Sequence, residues 1–335
     1  MKRLICIVFA LVLCILLCGC KGENRESDRR FTVAALGFSS DGALINVFAE
    51  TVIVNSEDPE ISPEACVFAA SGATISEALD KIGARLSKPM LLNHCAVIAV
   101  AENVTANWFD KICDYCFREN RITMSAYMVS VKDPNMLLSR GPESSVAAGY
   151  DIMGMIEQQS ERTGIAYNSR YFEVEARREG GKSVFTLPHF TCDEDNTEID
   201  GLSVFCRDRL VTRLDNNSSG LYALMTGNFR RGTLRFGTEE YTVESRRVDY
   251  TYNDTDSKKI ILKLKITGDT ADKAATNRLE KELAGLENRL KAETVADVFG
   301  FCDSLKLKSR EFEDNYGKDY LSFYKNADFS VECYS

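Results

Sequence analysis

Hydrophobic positions fall along the chain in distinct regimes. Residues 4 to 20, LICIVFALVLCILLCGC, are continuously apolar behind Lys2 and Arg3, and residues 21 to 30, KGENRESDRR, carry no large apolar side chain. From Phe31 the pattern becomes that of a folded body. FTVAALGFSSDGALINVFAETVIV predicts two strands around the turn Ser39-Ser40-Asp41-Gly42. GATISEALDKIGARLSKP predicts a helix: Thr74 and Glu77 form a capping box, Ile75, Ala78, Leu79, Ile82 and Leu86 share a face, and Pro89 stops the winding. CAVIAVAE is a continuous apolar run of strand length, as a strand covered on both faces requires. TANWFDKICDYCFREN then predicts a helix with Phe109, Ile112, Cys113, Cys116 and Phe117 on one stripe, and ITMSAYMVSV a strand. Asp133-Pro134 opens a further helix, and a longer one within residues 143 to 163 ends at Gly164.

Beyond Ile165 the chain reads as β-rich. RYFEVEAR and SVFTLPHF are expected strands, and GLSVFCRDRLVTRL a hairpin. SGLYALMTGN predicts a short helix closed by Gly227. TLRF, EYTVESRRVDYTY and KKIILKLKITG alternate with period two, the last two separated by the polar turn YNDTDSKK. TADKAATNRLEKELAGLENRLKAE places Leu279, Leu283, Leu286 and Leu290 on one stripe, too short for a coiled coil and suited to packing on the preceding sheet. ADFSVECY ends the chain as a strand. The fold class is therefore α+β, with mixed and antiparallel sheets packed with helices. Residues 31–190 are expected to form an N-terminal region of one or two subdomains, and 198–335 a C-terminal α+β domain.

The opening apolar run is a secretory signal in layout: basic residues, a core, then small residues. It falls slightly short of the ~20 apolar residues a spanning helix needs. Leu17-Cys18-Gly19-Cys20 resembles the lipobox of bacterial lipoproteins, with cleavage after residue 19 and lipid on the Cys20 thiol. Cys18 serves less well because Leu17 stands where a small residue is wanted. A diacylated Cys20 would anchor stably, since a single acyl chain holds only marginally. A permanent membrane anchor and an ordinary secreted signal are the alternatives. Residues 21 to 30 would be a flexible spacer, and no later segment is long and apolar enough to cross a bilayer.

Charge and cysteine content narrow the function. With 50 acidic and 41 basic residues the chain carries a net charge of −9, and cleavage would also remove Lys2 and Arg3. Nucleic-acid binding is disfavoured, because phosphate affinity needs concentrated Lys and Arg. Of twelve cysteines, eight would remain free of signal and lipid: Cys66, Cys95, Cys113, Cys116, Cys192, Cys206, Cys302 and Cys333. An exported location permits disulfides. Most of these cysteines sit in apolar stretches, where cysteine acts as a small core hydrophobe; free thiols are favoured.

Candidate chemistry is sparse. Cys113-Asp114-Tyr115-Cys116 has thiol-oxidoreductase spacing, but an active pair wants its first cysteine at a helix N-terminus, and these lie inside a helix on its apolar stripe. His94 leads into an apolar strand as a structural residue, and His189 beside Pro188 carries no signal. The acidic loops Asp193–Glu198 and Asp215–Gly220 fail the calcium-loop pattern: glutamate replaces the required glycine in the first, and Thr226 replaces the bidentate glutamate in the second. G-x-S-x-G, G-x-x-x-x-G-K-[ST] and H-E-x-x-H do not occur. No catalytic residue, metal site or cofactor is expected.

Taken in order, several segments resemble the Ger(x)C family, the lipoprotein C subunits of bacterial spore nutrient germinant receptors. The resemblance runs through Cys20, ALGFSSDG, GATISEALDKI with Gly72, Thr74 and Ala78, and LLNHCAVIAVAE with His94. It continues through TLPHF and IDGLSVFCRDRLVTRLD with Gly201 and Phe205, to ADVFGF with Asp297, Phe299, Gly300 and Phe301. The chain departs from the family pattern at Ser39 and Cys302, and Trp108 is its one tryptophan. The resemblance implies a lipid-anchored body on the outer face of the inner spore membrane. It would act without a catalytic step alongside two integral-membrane subunits in the response to a small-molecule nutrient, with indirect nutrient sensing by this subunit left open. It transfers no ligand-contacting residues. Two other readings stay open: the solute-binding lipoprotein of an importer, which should show βαβ alternation, and an exported thiol oxidoreductase resting on Cys113 and Cys116.

Overall fold

The computed structural model describes residues 31–53, 64–118, 122–139, 146–179, 184–193, 196–236, 239–253, 258–268, 273–294 and 296–334. The apolar N-terminal run, Cys20 and the polar stretch to residue 30 lie outside them. Among the described residues no helix is long and apolar enough to cross a membrane.

The first sheet is mixed. Its strands are β1 (Phe31–Asp41), β2 (Leu44–Ile53), β3 (Glu64–Gly72), β4 (Met90–Leu91), β5 (Val97–Ala101), β6 (Tyr127–Val131), β7 (Val184–Cys192), β8 (Thr197–Cys206) and β9 (Arg209–Leu214). They lie in the order β3-β2-β1-β5-β6-β7-β8-β9, with β4 also on β1. β1, β5, β6 and β7 are mutually parallel, and antiparallel pairs flank them on both sides. Every residue of β5 and β6 is buried, as central parallel strands covered on both faces require; β5 is wholly apolar and β6 carries one polar residue, Ser130. The crossovers are helical: α1 (Ile75–Gly83) before β5, and α2 (Ala106–Arg118) between β5 and β6. The capping box forms, with Thr74 Oγ1 accepting from Glu77 N at 3.1 Å and Glu77 Oε2 from Ala73 N at 2.8 Å.

α3 (Pro134–Ser139), α4 (Ala148–Thr163) and α5 (Tyr171–Glu179) complete this half. Asp133 Oδ1 accepts from Asn135 N and Met136 N to open α3, and α4 ends at the left-handed Gly164. RYFEVEAR, expected as a strand, is instead α5. Its apparent alternation hides Tyr171 and Val174 buried one turn apart, and Glu173 reaches back to accept from Arg170 N at 2.9 Å. β3 also escaped the sequence pattern, being an edge strand with scattered exposure.

The second sheet, in the order β10-β11-β12-β13, contains β10 (Arg231–Phe236), β11 (Glu239–Asn253), β12 (Lys259–Gly268) and β13 (Asp328–Tyr334). Only β12–β13 is parallel, and the connection between them carries α7 (Lys273–Glu293), α8 (Phe301–Lys308), α9 (Arg310–Tyr316) and α10 (Tyr320–Asn326). The leucine stripe of α7 is buried and packs against β13 and against α6 (Asn216–Thr226). One apolar core passes from one face of the first sheet through α6 to the second sheet; another lies on the opposite face of the first sheet under α1, α2 and α5. In the latter, Phe109, Phe185 and Phe205 stack with centroids 5.2–5.4 Å apart. Arg178 closes its rim by pairing with Asp110, Glu175 and Asp208.

The eight cysteines from Cys66 onward are free thiols. Cys113 and Cys116 are fully enclosed, and burial pushes both thiols well above the ordinary range. Phe117, expected on the same stripe, instead points to solvent. Alkylation of the native protein should modify exposed Cys66 first and leave Cys113 and Cys116 protected until denaturant is added. Mass-spectrometric mapping checks this; rapid labelling of both would revive a redox pair.

Three buried acids set a pH dependence. Desolvation pushes Glu50 and Glu287 up to about 7 and Asp297 up to about 6. The folded state therefore holds these protons more tightly than the unfolded chain does, and their contribution to stability falls as pH rises from the ordinary carboxylate range through 7. Glu50→Gln should lessen that fall by on the order of 2 kcal/mol between pH 5 and 7.5. Parallel urea titrations of the variant and wild type measure the difference; identical slopes would show that Glu50 is ionised throughout.

Candidate functional site

The carboxyl ends of the four parallel strands carry the loops that in open α/β sheets surround ligand sites. Here they enclose a cavity of about 560 Å³ lined by Ser39, Asn103, Lys132, Asp133, His189, Thr191 and Arg213, with Val131, Pro134, Met136, Phe190 and Cys192 as apolar walls. Asn103 locks the loop after β5 onto the end of β1: its Nδ2 donates to Ser40 O at 2.9 Å, and Ser40 Oγ donates to Asn103 O at 2.8 Å. Asp133 is engaged in opening α3.

His189 is almost fully buried in this wall. It lies in register with Ser130 of β6, opposite a bulge of β8 at which Gly201 takes φ +88°. A Cβ on Gly201 would collide with the Leu214 carbonyl oxygen, so glycine lets β9 close against the bulge. β9 then brings Arg213 opposite Ser203. Arg213 Nη1 donates to His189 Nε2 at 3.2 Å and to Glu102 Oε1 at 3.0 Å, and Ser203 Oγ lies 3.3 Å from His189 Nδ1. Burial, reinforced by the Arg213 charge, holds the His189 pKa below its ordinary value.

Serine, histidine and glutamate thus meet as in a hydrolase triad, but the chemistry differs. Because Nε2 accepts from a guanidinium, the neutral ring carries its proton on Nδ1 and donates it to Ser203 Oγ. Nδ1 is then not free to take the serine proton, and Ser203 is fully buried. What the cavity offers is recognition: a half-exposed guanidinium held by Glu102, an ammonium from Lys132, and the hydroxyls of Ser39 and Thr191.

Sequence reading missed His189, Glu102, Ser203 and Arg213 as a group. The available signal was a histidine inside an otherwise apolar strand, VFTLPHF. His94 is exposed on the turn before β5 and takes no part. The acidic loops serve as local structure, Asp193 Oδ1 accepting from Asn196 N and Asp215 Oδ1 from Ser218 N at the start of α6. Cys113 and Cys116 lie in the core under α2, apart from the cavity.

The stretches that carry the family resemblance divide into two kinds. Three of them line the cavity, ALGFSSDG through Ser39, TLPHF through His189 and IDGLSVFCRDRLVTRLD through Arg213, while LLNHCAVIAVAE supplies Glu102 behind the wall, where it holds Arg213. The others shape the fold. Gly72 lets β3 meet α1, since a Cβ there would stand 2.7 Å from Thr74 O, and Phe205 completes the stacked phenylalanines. Asp297 opens α8 by accepting from Phe301 N at 3.1 Å and Cys302 N at 2.7 Å across left-handed Gly300, while Phe299 and Phe301 stack 5.0 Å apart.

Comparison with known proteins agrees in both sequence and shape. The family described as spore germination protein N-terminal domain matches residues 23–191, and that described as spore germination B3/GerAC like, C-terminal, matches residues 200–335. Spore germination protein GerQC of Bacillus cereus is 24% identical, with 97% of each chain covered. The crystal structure of the GerBC protein shares the fold, with a TM-score of 0.52 at 14% identity over 89% of this chain and 95% of that one. With both halves matched in order, the chain belongs to the Ger(x)C family of spore germination proteins, the C-type subunits of germinant receptors.

Proposed function

We propose that this chain is the lipid-anchored, non-catalytic subunit of a nutrient germinant receptor, held at Cys20 on the outer face of the inner spore membrane and acting with two integral-membrane partner subunits. The observation that carries this reading is the convergence of three family-resembling stretches on one cavity whose histidine is tied to an arginine instead of activating a serine. Such a site recognises or docks; it has no activated nucleophile. Residues 1–19 would be removed as a signal, and 20–30 would serve as lipidated terminus and spacer. We further propose 31–190 and 198–335 as two parts of the body along the chain, a division supported by the interval between the two family matches, with the first sheet shared by both.

Cys20→Ala should abolish incorporation of labelled fatty acid and release the body from the membrane fraction, because a diacylated cysteine supplies the stable anchor. Equal label on the variant would remove the lipobox assignment. At the level of function, spores lacking this gene, in a strain without related receptors, should lose the response to at least one single nutrient. A full set of retained responses would overturn the receptor-subunit reading.

A further inference from the structure

Resting on the reading that the N-terminal segment is membrane-held, we propose that the end of the first sheet bearing the amino termini of its parallel strands lies against the lipid bilayer, with Phe117, Met124 and Phe172 entering the headgroup region. The tether determines which end can do this. It joins the body at Phe31, whose N–H donates to Pro89 O at the amino end of β1. Taken as the flexible spacer proposed above, ten residues would have an r.m.s. reach of roughly 18 Å. β1 runs ten steps from Phe31 to Asp41, so its far end stands about 33 Å from Phe31. On average the tether holds the near end at the surface and the cavity end away from it.

Among the described residues, that near end carries large apolar side chains with no cover. α2 leaves the carboxyl end of β5 and returns to the amino end of β6, so its last turn, with Phe117, lies on the tether side. Tyr171 Oη donates to Cys113 O at 2.7 Å, which joins the start of α5 to this part of α2. Phe172 N donates to Met124 O at 3.0 Å, and Tyr171 N to Ala126 O just before β6, so Met124 and Phe172 adjoin the same end. Phe117 is 61% exposed, Phe172 46% and Met124 41%. Phenylalanines at the water–hydrocarbon boundary bury apolar surface while the flanking polar backbone stays hydrated. Lys88 over the Phe31 ring places a cation at the same level, while Arg118 beside Phe117 is paired with Asp114 at 2.7 Å.

The opposite end supplies the control. Leu44, 43% exposed, follows the β1–β2 turn, and Trp108 Nε1 donates to Gly42 O there. The test uses the full chain purified from membranes and reconstituted in phosphatidylcholine–phosphatidylglycerol vesicles with or without brominated acyl chains. Variants Phe117→Trp, Phe172→Trp and Leu44→Trp are compared with wild type, whose Trp108 marks the far end. Added fluorescence at positions 117 and 172 should fall by about half or more with brominated lipid, while that at 44 and 108 changes by less than about a tenth, given insertion of ~5–10 Å. Vesicle flotation is read alongside. A chain that floats but shows no quenching at 117 and 172 overturns the proposed face and leaves the tether standing, the outcome expected if this patch meets a protein partner instead. A chain that does not float overturns both. Flotation retained in Cys20→Ala removes only the lipid site, and the quenching pattern still decides the face.

Discussion

Water cannot reach the start of α4, and a carboxylate from β2 takes its place. Ala147, Ala148 and Gly149 are buried against β1, so close that a Cβ on Gly149 would stand 2.7 Å from Ala34 O. The first N–H groups of a helix have no partner within it and must find one elsewhere. Glu50 provides it, its two oxygens accepting from Ala148 N at 2.6 Å and Gly149 N at 2.9 Å across nearly a hundred residues of sequence. The position of α4 in turn governs where the second sheet can sit. Its left-handed end at Gly164 meets β10, where Arg230 N donates to Gly164 O at 2.7 Å and Gly232 leaves room for the Thr163 carbonyl. With α6, α4 is thus one of two helices that join the second sheet to the first, and its start depends on a single buried acid. Desolvation raises the pKa of that acid while the two N–H groups oppose the rise. The attachment is therefore electrostatically responsive as well as geometric.

Much of this architecture is legible from periodicity. Elements whose own sequence states both type and ends match their expected form: α1 from its capping box, α4 from Gly164, α6 from Gly227, α7 from its leucines, and β11 and β12 from strict alternation. The departures share a cause. α5 is nine residues long with only Tyr171 and Val174 buried, so a period of two fits its few apolar positions as well as a helical one. α8, α9 and α10 are seven or eight residues each and owe their conformation to packing on β11 and on one another. No local pattern encodes that contact. Phe117 fits a buried stripe by spacing and yet is exposed, because spacing alone cannot tell where a neighbouring element stops covering a helix.

The cavity was illegible for a different reason. His189, Ser203, Arg213 and Glu102 come from three strands and a loop, and only the sheet order brings them together. A bulge at Gly201 and a parallel register between β6 and β7 fix that meeting, and neither is written in the local sequence. What could be read was the set of short stretches shared with a family. Their separation into cavity-lining residues and fold-shaping residues such as Gly72 and Asp297 became visible only once the strands were ordered.

The two halves matched by separate family descriptions are not separable in the sheet. The interval between the matches falls at the β7–β8 turn, yet β8 and β9 pair onto β7 and complete the first sheet. Without them β7 would present a long apolar edge and His189 would lose both Ser203 and Arg213. α6 follows β9 and buries nearly its whole surface: Tyr222 Oη donates to Val298 O at 2.8 Å, and Tyr250 of β11 donates to Met225 O. The core is therefore continuous from the cavity wall to α8. A body built this way has few internal degrees of freedom with which to change shape on its own. Val131 and Phe190 of the cavity wall belong to the same apolar core as Leu262 and Leu264 of the second sheet, so the cavity end and the second sheet are held by one packed interior.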